Sequence, residues 1–189
     1  MKFTYELLGV GWAEVNIEIN GQKSYSSPSY LSDALGDLLN ALLRIIPELD
    51  YYEGAPDNKE FVVWSEEPAE TQWTLELVDL DKIRIKIECF EDEDNDNGTI
   101  DIDEICNLNQ FLSEVVKALD LLLEKHGFIG YKEMWYEYEF PIGAYLNLKY
   151  YLDNKSSFPM QEKIQDGEKY RKSLIKEELM ILKKLSSKL

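Results

Sequence analysis

The chain has 189 residues, enough for one domain with a full core. Its 37 acids against 20 bases give a net charge of −17, which rules against a protein that holds phosphates or nucleic acid by charge. Hydrophobic residues reach 44% and aromatics 12%, so the acidity is not that of a disordered chain.

In chain order, the opening MKFTYELLGVGW places Glu6 and polar residues where a secretory signal needs an apolar run, and the longest apolar stretch, Leu38 to Ile46, is interrupted by Asn40 and Arg44. Ala13, Val15, Ile17 and Ile19 alternate with Glu14, Asn16 and Glu18, the period of a strand with one wet face. Asn20-Gly21 suits a type I′ turn and predicts a second strand over 22–26. From Leu31 the period is helical, with Leu35, Leu38, Leu42 and Ile45 on one stripe, Ser29 or Ser32 as the cap and Pro47 as the stop. Residues 48–59 read as a loop and Phe61 to Ser65 as a strand. Trp73, Leu75 and Leu77, then Ile83, Ile85, Ile87 and Cys89, supply two further antiparallel strands. Cys89 shares the phase of the isoleucines and reads as a buried structural thiol; with Cys106 it forms neither a zinc nor a redox spacing, which suits a reducing cytosol.

Phe111, Leu112, Val115, Leu119 and Leu122 predict a second helix stopped by Gly127, with His126 in its last turn. Pro141 opens a short helix that carries Tyr145 and Tyr150. Leu174, Ile181, Leu185 and eight basic residues predict a closing helix. The fold class is α+β: an antiparallel sheet of about five strands covered by helices, one domain over 1–160, and a basic amphipathic C-terminal helix over 161–189 packed on it or extending from it. Residues 1–110 hold 25 acids and 7 bases, while 111–189 hold 12 and 13, so the acidity belongs to the sheet half.

Three stretches are candidates for chemistry. Laid on a twelve-residue EF-hand loop, EDNDNGTIDIDE puts the oxygens of Glu93, Asn95, Asn97, Asp101 and Glu104 at positions 1, 3, 5, 9 and 12, with Gly98 at the sharp turn. The resemblance to EF-hand loops covers this loop alone, Glu93 stands where the family has Asp, and a strand precedes it instead of a helix. The competing reading is a solvated acidic connection from strand to helix, with 99–103 as a short edge strand. Carboxylate pairs for acid–base work cannot be singled out among 37 acids, because their separation is not visible in sequence. The third stretch, GYKEMWYEYEF, interleaves Trp135, Tyr136 and Tyr138 with charge, the composition of an interface anchor, and the acids Asp92, Asp94 and Asp96 would draw a basic partner toward it. Its competing reading is simple packing, with Trp135, Glu137 and Glu139 on one strand face and Tyr136, Tyr138 and Phe140 on the other.

YELLGVGWAEVNIEINGQ, SYLSDALGDLL, GYKEMWYEYEFP and LNLKYYL together resemble, over residues 1 to about 152, a family of small acidic cytosolic proteins of Gram-positive bacteria. The resemblance supplies no catalytic residues and implies an α+β protein similar in character to immunity proteins that neutralise secreted toxins. The expectation is a cytoplasmic, non-enzymatic protein-binding module without a cofactor, its partner a basic protein such as a toxin domain and neither nucleic acid nor membrane. The alternative is a calcium-binding module built on 93–104.

Overall fold

A computed structural model describes residues 1–49, 58–92, 97–136 and 138–187. The chain is α+β, with four helices among the described residues. The single sheet of about five strands is replaced, among the described residues, by three antiparallel sheets. Strands β1 (Lys2–Gly9), β2 (Trp12–Ile19) and β3 (Gln22–Ser26) form the first, in chain order. Strands β4 (Lys59–Ser65), β5 (Glu70–Asp79), β6 (Lys82–Phe90) and β7 (Thr99–Asn107) form the second as a meander. The physical reason for the split is α1 (Ala34–Ile45), which follows β3 and carries the chain off the first sheet before the meander begins. Strand β1 adds a further alternation ahead of the predicted hairpin, with Phe3, Tyr5 and Leu7 buried between exposed Lys2, Glu6 and Leu8.

Helix α1 lays Leu35, Leu38, Leu42 and Ile45 into the core. Its cap is neither Ser29 nor Ser32 but Asp33, whose carboxylate accepts from Gly36 N at 3.3 Å. Leu31 lies ahead of that cap and is exposed. Trp64 crosses from β4 and donates its indole N–H to Ala34 O at 2.8 Å, tying the meander to the start of α1. The isoleucines of β6 and the alternating residues of β2 share one core with Val115, Leu119 and Leu122, as the sequence predicts, while Cys89 is only half-buried against it.

Helix α2 (Leu108–Trp135) does break at Gly127, where φ is 64° and ψ −178°, but helical turns resume beyond it. That overturns the strand phase read across 135–140: Tyr131 and Trp135 are buried one helical turn apart, on the same face. Helix α3 (Ile142–Asn154) lies against α2, where Asp120 accepts from Tyr145 Oη at 2.8 Å and from Lys149 Nζ at 2.6 Å.

The closing helix predicted over 161–189 is shortened to α4 (Ile175–Ser186), whose Ile181 and Leu185 are buried. Strands β8 (Met160–Gln165) and β9 (Glu168–Ser173) stand in place of its first half, reversed at Asp166-Gly167. The apolar stripe from Leu174 to Leu185 falls at α4, and the turn-forming Asp166-Gly167 ahead of it closes a hairpin instead. No helix among the described residues is long and apolar enough to cross a membrane.

Candidate partner-binding surface

The aromatic stretch divides at the end of α2. Trp135 is fully buried, with its ring 6.2 Å from that of Tyr5, so it anchors the core instead of facing a partner. Tyr138 is half-buried against the core. Tyr136 turns outward and is 60% exposed. Its φ of 67° and ψ of −72° lie outside the favoured regions for a residue with a side chain, a conformation that persists only where the surroundings enforce it.

Two segments hold the end of α2 that carries it. Gly11 N, in the β1–β2 turn, donates to Met134 O at 2.6 Å, and Tyr30 N donates to Gly11 O at 2.9 Å. The turn is thereby clamped to the end of α2 on one side and to the loop before α1 on the other. Tyr30 packs over Gly11 so closely that a Cβ there would stand 2.7 Å from its ring. The Tyr30 and Tyr136 rings meet edge to face, with centroids 5.3 Å apart. Val10 and Leu31 are exposed in the flanking turn and loop. Glu133 and Glu139 are exposed in the same segment as Tyr136, Glu139 paired with Lys132 at 3.1 Å, and the β4–β5 turn is joined to the loop before α1 by Ser27 N donating to Glu66 Oε2 at 3.0 Å, with Glu67 exposed beside it. No local pattern in the sequence joins Tyr30 to Tyr136, because only tertiary hydrogen bonds bring them together.

The loop read on a calcium template has a different character where it is described. Asn97 and Asp92 are exposed, and Glu93, Asp94, Asn95 and Asp96 lie outside the described residues, as does Glu137. Asp101 and Glu104 stand on β7, a full strand, and both are engaged by the first sheet. Asp101 accepts from Ser24 Oγ at 2.9 Å and from Cys89 Sγ at 3.2 Å, while Glu104 accepts from Asn20 Nδ2 at 2.8 Å. Among the described residues no three His, Cys, Asp or Glu side chains gather as a metal-binding group.

Beneath this seam, burial and then the Asp101 carboxylate push the Cys89 thiol up to about 11. It is protonated at neutral pH and donates a hydrogen bond, the opposite of what a nucleophile requires. On the outer face of the same strands, Arg84 grips Asp103 through two hydrogen bonds of 2.7 and 2.8 Å and holds that carboxyl below its ordinary range. His126 is half-buried, and burial and then Lys125 lower its pKa, so it is neutral at pH 7. Compared with protein-family models, curated proteins and solved structures, the chain has no significant match to any of them.

Proposed function

We propose that the chain is a cytoplasmic, non-enzymatic protein-binding module that engages a basic partner, with neutralisation of a basic toxin domain as the most concrete form of that role. One observation carries the reading: an exposed tyrosine pair sits on strained and clamped backbone, with Glu133 exposed in the same segment. Rings fixed before contact lose little side-chain freedom on binding, which is the property of an anchor residue. The net −18 of residues 1–110 speeds encounter with a cationic surface and repels nucleic acid.

The test is capture from the native cell by the full chain and by its Tyr136→Ala variant. A basic protein retained by the former and lost from the latter is the expected result. Raising salt should lower its association rate more than it raises its dissociation rate, since the Debye length is only about 8 Å at physiological ionic strength. A nucleic acid or a strongly acidic protein as the dominant partner, with salt-insensitive association, would refute the reading.

A further inference from the structure

A groove of about 680 Å³ runs between β1 and α2. Its β1 wall is five consecutive residues, Lys2 to Glu6. Successive strand residues point to opposite faces, so a groove lined by all five follows the edge of the strand and not either face. Among the described residues that edge is open: β1 is the end strand of its sheet and is paired only with β2. Alternate N–H and C=O groups along 2–6 therefore point into the groove. Among the described residues no turn, loop or cap bond to another backbone group engages residues 2–8. The opposite wall is one face of α2, where Ala118, Leu121 and Leu122 give an apolar lining.

The rim is charged in a directional way. Helix and strand run the same way, since the Phe3 ring meets that of Phe111 and Glu6 pairs with Lys125 at 3.8 Å. Lys2 and Lys117, with Glu114, mark the beginning of the groove; Glu6 and Glu124, with Lys125, mark its end. One end thus has a base in excess and the other an acid. Beyond Glu6 a register shift between Leu7 and Gly9 closes the regular ladder, and the strand leads into the turn that seats Tyr30.

We propose that this edge takes an extended segment of the partner protein as a fourth strand, antiparallel to β1. Its aliphatic side chains would enter the groove at alternate positions, a basic residue at its N-terminal end would meet Glu6 and Glu124, and an acidic residue at its C-terminal end would meet Lys2 and Lys117. The inference rests on the protein-binding reading and names a second contact for the same partner.

The probe is a labelled synthetic peptide, Lys-Val-Thr-Val-Thr-Val-Glu, titrated into the full chain by fluorescence anisotropy, with amide hydrogen exchange read in parallel. Two further peptides are N-methylated at odd or at even amides. In an added strand only one set of amides faces β1, so one parity should lose at least about tenfold in affinity and the other should bind as before. Residues 2–6 should gain exchange protection, a peptide with its two charged ends exchanged should bind more weakly, and Leu121→Asp, at a position 55% exposed, should weaken binding without lowering the melting temperature. No binding, equal effects of both parities, or protection away from β1 would overturn the proposal. A basic partner still held through Tyr136 under any of those outcomes would leave the binding reading standing.

Discussion

Asn20-Gly21 and Asp166-Gly167 reverse the chain with nearly the same backbone, φ of 50° and 92° in the first pair and 54° and 83° in the second. The strands joined by the first bury Ala13, Val15, Ile17 and Ile19 on one side and Ser24 and Ser26 beside them. Those joined by the second are exposed at every residue from Met160 to Lys172. Turn chemistry therefore sets where a hairpin forms, and burial sets how firmly it is held, since two strands alone are marginal in water. The body of the molecule and its C-terminal arm are therefore expected to differ in stability, despite sharing a local code.

The widest separation is expected from aromatic truncations. Trp64 is fully buried, 4.9 Å from the Trp73 ring, and hydrogen-bonded to α1, so Trp64→Ala should cost about 3–5 kcal/mol in urea unfolding. Tyr170→Ala, on a side chain 51% exposed in the arm, should stay within about 0.5 kcal/mol. A Tyr170→Ala loss comparable to that of Trp64→Ala would abolish the distinction.

The two turn glycines sharpen it. Gly21→Ala and Gly167→Ala impose the same left-handed strain, of roughly 1–2 kcal/mol. The first should move the global unfolding midpoint, whereas the second should only speed hydrogen exchange across β8 and β9. Equal shifts in midpoint would show that the arm unfolds together with the body.

Cys89 reports on the first hairpin from beneath, because its sulfur lies 3.9 Å from Ser24 Oγ. Its folded pKa of about 11 exceeds the ordinary 9.0, so the native state keeps a proton that the unfolded chain gives up. Its contribution is fully present below pH 9 and is lost as pH rises toward 11. Cys89→Ala should flatten the decline of the urea midpoint across that window, and alkylation of the wild-type thiol at pH 8 should lag well behind free cysteine. Rapid labelling at pH 8 would mean that the hairpin opens far more readily than its burial implies.

The smallest effect is expected from calcium. Glu104 already holds the first turn through Asn20, and titration calorimetry should show no stoichiometric site tighter than about 10⁻⁴ M. A clear isotherm abolished by Glu104→Ala would instead couple that hairpin to a metal.

Much of the body was legible because its signals are local and mutually consistent. The phase of Ile83, Ile85 and Ile87, the Asn-Gly turn and the α1 stripe each report a burial pattern that survives in three dimensions. Sheet membership has no such signal, since alternation looks the same in one sheet or in two. The aromatic stretch misled for a related reason: Trp135 and Tyr131 fit a helix at four-residue spacing as well as Trp135 fits a strand at two, and short apolar patterns do not arbitrate. Of the partner-binding residues proposed from sequence, Tyr136 alone is turned fully outward among the aromatics, and its companion Tyr30 lies 106 positions away in the chain.

Gly127 has a consequence for how the gene can vary. Apart from the adjacent backbone, nothing stands within 4 Å of where its Cβ would be, so the rest of the fold leaves room for a methyl group. Its dihedrals, however, belong to a region that amino acids of L chirality almost never enter. A saturation map of this surface should therefore show tolerance at exposed Phe128 and Ile129 and a sharp intolerance one position before them. The constraint is one of handedness, a clash of a side chain with its own local backbone and not with the rest of the fold.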